Sequence, residues 1–302
     1  MKHLLSIESL QRQEIYEILD LADSMKGSRG HHEKLPLAGQ CWALIFSKSS
    51  TRTRVSFEVG IRELGGSVMF LSAGDIQLGR GEPIEDTARV MGRLLDGAVI
   101  RTFRQSDVEV FAQYSGIPTI NALTDDEHPC QILADLQTIR EKLGGVEGRS
   151  VCFVGDGACN VAASWIWAAA KLDFELRIAA PPAFQPPAEL MRKLGDRARV
   201  LLVEDPIEAA KGADVLYTDV WVSMGKEEEA AQRLSVLAPY QINEALVAHA
   251  APRALVMHCL PAYRGKEISA ETFELHATTL FDQAENRLHA QKAVLELIAG
   301  RR

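Results

Sequence analysis

The chain has 302 residues, 47 % of them hydrophobic, enough for two domains of about 150 residues with a core each. Its formal net charge of −8 disfavours nucleic acid and anionic membrane as partners, so a bound phosphate needs a local positive cluster and the partner is expected to be small. The five cysteines (Cys41, Cys130, Cys152, Cys159 and Cys259) form no CxxC pair and no disulfide framework, which points to a reducing compartment.

In chain order, the first 25 residues hold only a very short apolar run before Glu8, so neither a signal peptide nor a transit peptide is evident. No stretch reaches the roughly 18 apolar residues of a membrane span, and a soluble, cytoplasmic protein is expected. An amphipathic helix is predicted over about Ser9 to Met25. Strands are predicted at Trp42 to Ser47, Ser67 to Ser72, Ala98 to Phe103, Thr119 to Ala122 and Ser150 to Gly155. They continue at Glu175 to Ala180, Val200 to Val203, Val215 to Thr218, Ala254 to His258 and Thr279 to Phe281. Helical periods lie between them, an α/β alternation that argues for parallel sheets covered by helices on both faces. The expected domains are 1–128 and 129–287. The break is placed near residues 124 to 145, where Pro129 to Lys142 reads as a long bridging helix ending at Gly144-Gly145. A last helix, Leu288 to Ile298 within 288–302, could pack on either domain, including back on the first.

Between the first strand and a helical pattern from Val55 to Leu64 stands Ser49-Ser50-Thr51-Arg52-Thr53-Arg54. Hydroxyls and guanidinium groups at a helix N-terminus make an anion site, because unpaired N–H groups and the macrodipole act there and arginine offers a planar fork to phosphate oxygens. An ordinary Ser/Thr cap followed by solvated arginines is the plainer alternative.

Ligands of parallel sheets sit beyond the carboxyl ends of the strands. The residues there are Arg101 and Arg104; His128, Pro129, Cys130 and Gln131; Asp156 to Asn160; Asp219 to Gly225; and Cys259-Leu260-Pro261. Polar, titratable and sulfur groups recurring at one edge of two sheets suggest an active site in an interdomain cleft. Gly155-Asp156-Gly157 begins a GxGxxG fingerprint, but Asn160 replaces the third glycine and no acidic residue closes the next strand, which argues against a dinucleotide. Neither His128 with Cys130 nor His258 with Cys259 has zinc spacing, and no metal is expected. Cys259 could be an ordinary buried thiol and Asp219 a cap.

Taken in order, SSTRTR, HPCQ, DVWVSMG and HCLPA resemble the aspartate/ornithine carbamoyltransferases over nearly the whole chain, and the last two resemble the ornithine branch. The resemblance implies two doubly wound α/β domains in a homotrimer with active sites at subunit contacts. It also implies carbamoyl transfer from carbamoyl phosphate to the δ-amine of L-ornithine, giving citrulline and phosphate without a cofactor. By position, Ser50, Thr51, Arg52 and Thr53 would hold the phosphate, Arg101, His128 and Gln131 the carbonyl and amino end, and Arg287 would join them. Gln77 would enter a neighbouring subunit's site. Asn160, Asp219, Ser223 and Met224 would bind the amino acid, while Cys259 and Leu260 line the junction between substrates. The catalytic set is then Arg101, His128, Asp219 and Cys259. Two departures from the family's pattern are Cys159, where asparagine is common, and Ala163, where a polar residue is frequent. Putrescine or aspartate as the acceptor, a nicotinamide-dependent oxidoreductase, and a non-catalytic carbamoyl phosphate-binding paralogue are the competing assignments.

Overall fold

The computed structural model describes residues 1–31, 34–72, 82–222 and 227–299. The chain divides into two compact units, Met1–Gln137 with Glu285–Arg302, and Thr138–Ala284.

The first unit opens with helix α1 (Arg12–Gly27), whose entry is closed by a capping box between Gln11 and Glu14. Strands β1 (Cys41–Phe46), β2 (Ser67–Ser72), β3 (Gly97–Arg101) and β4 (Thr119–Leu123) then alternate with helices α2 (Thr51–Glu63), α3 (Ile84–Leu94) and α4 (Gln105–Ser115). The strands form one sheet in the order β2-β1-β3-β4, with every pairing parallel. β1 (CWALIF) and β3 (GAVIR) are apolar along most of their length because a parallel strand between two helical layers has no solvent face. β2, at the edge, is correspondingly half exposed.

Helix α5 (Pro129–Leu143) carries the chain into the second unit. There β5 (Ser150–Val154), β6 (Glu175–Ala179), β7 (Arg199–Val203), β8 (Val215–Thr218) and β9 (Leu255–His258) pair in the order β7-β6-β5-β8-β9, again all parallel. Between and after them lie α6 (Asn160–Lys171), α7 (Ala188–Leu194), α8 (Pro206–Ala210), α9 (Ala230–Leu237), α10 (Glu244–Val247) and α11 (Ala270–Leu275). Trp165 of α6 meets Tyr217 edge-on at 5.4 Å between ring centroids, and Tyr217 stacks on Phe153 at 5.7 Å, which locks helix to sheet. Helix α12 (Ala277–Ala299) returns the chain to the first unit.

Both sheets are doubly wound. The order reverses between β1 and β3 in one and between β5 and β8 in the other, and at such a switch point two neighbouring crossovers leave in opposite directions and open a crevice.

One expected element is absent. Thr279–Phe281 is no strand but the first turn of α12, which begins well before the expected Leu288. In its first turns the buried positions are Leu280, Gln283 and Asn286, a spacing of three that belongs to one helix face, and from Asn286 to Leu295 the helix is buried all round. Three residues rich in β-forming side chains could not outweigh that period.

No helix among the described residues is long and apolar enough to cross a membrane.

Candidate active site

In the first unit, β1 ends at Phe46 and α2 starts at Thr51, so the SSTRTR segment occupies the carboxyl edge of the sheet. Ser50 is the N-cap: its backbone is extended and its Oγ accepts from the Thr53 N–H at 3.4 Å. No acidic residue stands in the first turn. The two arginines have different fates. Arg54 donates to Glu58 Oε1 at 2.7 Å and lies 3.7 Å over the Phe70 ring, so it is spent on local structure. Arg52, like Thr51, is exposed and has no ion pair among the described residues. It is the guanidinium left available to an anion.

Thr53 is buried and faces a second group of residues from distant parts of the chain. Arg287, on α12 and 5 % exposed, donates from Nη1 to Gln131 Oε1 (2.7 Å) and from Nη2 to Thr53 Oγ1 (3.2 Å). Gln131 in turn donates to Asp135 Oδ1 one helical turn on, at 2.8 Å. Both ends of the Gln131 amide are therefore held, which fixes its orientation. His128 and Arg101 are buried close by. Burial pushes the His128 pKa well below the usual 6.5, and the Arg287 and Arg101 charges push it further, so this imidazole is neutral at pH 7. The same burial raises the Cys130 thiol to about 12 and leaves it inert, donating to the Asn121 carbonyl at 3.3 Å.

Two supports of this half-site were not evident in the sequence. Lys48, buried just after β1, forms an ion pair with Asp125 and lies 4.3 Å over the Phe103 ring, which ties the segment before SSTRTR to the loop before His128. Glu127 accepts from the backbone N–H groups of Ile7 (2.8 Å) and Glu8 (3.3 Å) and so anchors the residue next to His128. A lysine at the end of a strand was the only available signal.

In the second unit the switch point brings together the ends of β5, β8 and β9. Cys259 Sγ donates to Asp219 Oδ1 at 2.8 Å, and the same oxygen accepts from the Val220 N–H at 2.7 Å. Burial raises the Asp219 pKa; His258, the Cys259 hydrogen bond and the Val220 amide oppose that shift without cancelling it. Leu260 follows with φ +57°, the only non-glycine residue with positive φ among those described, and its N–H donates to His258 Nδ1 at 2.8 Å. With Nδ1 accepting, the ring proton sits on Nε2, which faces Glu267 Oε1 at 3.2 Å. The fully buried Glu267 also accepts from the Tyr263 N–H, so it fixes both the imidazole and the chain leaving the Cys259-Leu260 turn.

Asn160 is the first residue of α6 and half-buried. Cys159 caps that helix, its Sγ accepting from the Ala162 N–H at 3.4 Å. Burial, and behind it the Asp219 and Asp156 carboxylates, raise the Cys159 pKa. Gln77, Ser223 and Met224 lie outside the described residues. Asp219, His258 and Cys259 have donor atoms within 4.8 Å of one another, the geometry of a small metal cluster. Both ring nitrogens of His258 are already hydrogen-bonded, however, so a metal there would have to break the contacts that hold the turn.

Two parallel sheets with polar groups gathered at each switch point define a two-domain α/β protein of the doubly wound, ligand-binding class. Sequence comparison makes the class specific. Residues 2–141 match the family described as aspartate/ornithine carbamoyltransferase, carbamoyl-P binding domain, and residues 147–298 match its Asp/Orn binding domain. The chain belongs to the aspartate/ornithine carbamoyltransferase family. It is 58 % identical to an ornithine carbamoyltransferase of Akkermansia muciniphila, covering 100 % of this chain and 99 % of that one. It is 49 % identical to the anabolic ornithine carbamoyltransferase of Pseudomonas aeruginosa, covering 99 % and 97 %. Among solved structures, the ornithine carbamoyltransferase of Pyrococcus furiosus superposes with a TM-score of 0.94 at 44 % identity, over 100 % of this chain and 98 % of that one. The anabolic enzyme of Campylobacter jejuni gives 0.94 at 40 % identity, covering 100 % of both.

Proposed function

We propose that this protein transfers the carbamoyl group of carbamoyl phosphate to the δ-amine of L-ornithine, forming L-citrulline and phosphate. The observation that carries the proposal is the Thr53–Arg287–Gln131 chain beside a neutral His128, next to a helix N-terminus where Arg52 is exposed and has no ion pair among the described residues. Such a site offers a dianion pole and, next to it, directional donors for a carbonyl. Full-length relatives named ornithine carbamoyltransferase support the same assignment.

In this mechanism Ser50, Thr51, Arg52 and the first amides of α2 hold the phosphate. Arg101, His128 and Thr53 donate to the carbamoyl oxygen, and Gln131 and Arg287 orient the carbamoyl group. The neutral imidazole donates without adding a full charge to a crowded cationic site. Asp219 and Ser223 receive the α-ammonium of ornithine, and Asn160 with Met224 its α-carboxylate. Cys259 and Leu260 line the junction where the δ-amine meets the carbamoyl carbon.

An ammonium has no lone pair, and a free alkylamine pKa near 10 leaves little neutral amine at pH 7. Desolvation beside guanidinium groups lowers that value. The amine nitrogen then attacks the carbamoyl carbon, charge develops on the carbonyl oxygen, and each donor aimed there is worth about 10² to 10³ in rate. The C–O bond to phosphate breaks with its electron pair on the phosphate, which takes up the amine proton. No step requires a cofactor or a separate protein base.

The working form is proposed to be a cytoplasmic homotrimer with Gln77 reaching a neighbouring copy's site, and the direction that of arginine synthesis, in keeping with the anabolic relatives. The direct test is citrulline formation from carbamoyl phosphate and L-ornithine, with putrescine and L-aspartate in parallel. Preference for ornithine supports the assignment. Activity with another amine alone overturns the second-unit roles, and carbamoyl phosphate binding without any turnover overturns the enzyme assignment. A mass other than three chains in solution would remove the trimer.

A further inference from the structure

The second unit contains a buried guanidinium that the proposed chemistry does not use. Arg233, on α9, is 5 % exposed. One Nη pairs with Asp156, which is 3 % exposed, and Nε donates to the Trp221 carbonyl at 2.6 Å. The planar head lies 4.7 Å from the Phe184 ring centroid. Asp156 divides its oxygens: Oδ2 meets Arg233, while Oδ1 accepts from the Ala158 N–H at 3.0 Å inside the loop that leads to Asn160. Trp221 stands two residues beyond Asp219. The two segments also touch directly, because Gly155 (φ +126°) comes so near Trp221 that a Cβ there would fall 3.1 Å from the indole Nε1.

A single fork thus grips the loop after β5 and the turn after β8, the two strands that flank the switch point. Arginine suits this task because its donors are spread over a rigid plane and its face stacks on an aromatic ring. A lysine has one point of charge and no face. The pair is also committed: without Arg233, the Asp156 carboxylate keeps the Ala158 N–H but loses its ion-pair partner in a buried setting, and the loop must move to hydrate it.

We propose that Arg233 is the positioning residue of the amino-acid half-site, holding the Asp156 loop and the Trp221 turn in the register that presents Asn160 and Asp219 to the substrate. The inference rests on the ornithine assignment above and extends it to a residue that touches no substrate. Its signature is a selective loss of the amino acid, since every contact of Arg233 named here lies within the second unit.

The test uses Arg233→Lys and Arg233→Ala in the full chain, with steady-state kinetics for both substrates and hydrogen exchange followed by mass spectrometry. In Arg233→Lys the ornithine KM is expected to rise about tenfold or more while the carbamoyl phosphate KM stays within about twofold. Exchange is expected to quicken in residues 155–162 and 218–222 and to stay unchanged in β1 and β3. In Arg233→Ala, guanidinium ion at tens of millimolar is expected to restore the ornithine KM partly, where equal sodium chloride does not. Equal loss of both substrates, unchanged exchange in the two segments, or rescue by salt alone would overturn the proposal. If Arg233→Ala does not fold, the lysine variant decides. Should the wild-type protein fail to use ornithine, the functional assignment falls, whereas exchange still decides whether Arg233 holds the two segments.

Discussion

Replacing Arg287 by glutamine removes one charge and two geometrically defined hydrogen bonds from the first half-site. The bonds, 2.7 Å to Gln131 and 3.2 Å to Thr53, are made by a group that is 5 % exposed. Hydrogen bonds to charged groups contribute about 1.5–3 kcal/mol each, so with the longer one at the low end the pair is worth about 3–4.5 kcal/mol. If about 3–4 kcal/mol of that reaches the transition state through Thr53 and Gln131, kcat/KM for carbamoyl phosphate falls by about 10² to 10³. The variant carries a second signature. Arg287 is the larger of the two charges that hold the His128 pKa down, and a like charge disfavours protonation, so its removal moves that pKa upward. The acid limb of the kcat/KM profile should therefore shift to higher pH, which simple misfolding would not produce. The assay is initial-rate citrulline formation from pH 5.5 to 8.5 with carbamoyl phosphate varied at saturating ornithine. A fall of less than fivefold with an unmoved acid limb would refute the reasoning.

Four further outcomes follow from the geometry. Burial holds the Asp219 pKa above its ordinary 3.8, so the folded protein binds that proton more tightly than the unfolded chain and the ionised carboxylate counts against folding once pH passes the folded pKa. Asp219→Asn should leave the thermal midpoint at pH 8 unchanged or higher while raising the ornithine KM about 100-fold, and a midpoint lower by several degrees would contradict this. Arg52→Ala should cut carbamoyl phosphate affinity at least tenfold with stability unchanged to about 0.5 kcal/mol; Arg54→Ala should lose stability and keep most affinity, and equilibrium binding with urea unfolding would expose a reversed pattern. His128 is depressed below 6.5, so the unfolded chain binds more protons and the protein loses stability as pH falls below that value. Urea midpoints at pH 5.5 and 7.5 should lie closer together in His128→Gln than in wild type. Gly97→Ala would drive a Cβ to 2.5 Å from the Trp42 ring and should cost about 2–3 kcal/mol in urea unfolding, whereas a loss below 0.5 kcal/mol would mean that the core yields more easily.

The sequence by itself determined the architecture and the strand ends at which the candidate residues stand. β1 and β3 are legible because strands covered on both faces must be almost wholly apolar, and SSTRTR is legible because caps and helix starts depend on neighbours a few residues away. Periodicity failed at Thr279–Phe281, where the deciding signal was the burial of positions further along α12. The tertiary structure alone separated Arg52 from Arg54, since only folding sets Phe70 beneath the latter. It alone joined Arg287 to Thr53 across 234 positions, Lys48 to Asp125 across 77, and Arg233 to Asp156 across another 77. Local pattern is written in the spacing of adjacent residues, whereas the partner of a buried charge is chosen by which strand ends the crossovers bring to the same crevice, and that choice exists only once the sheets have formed.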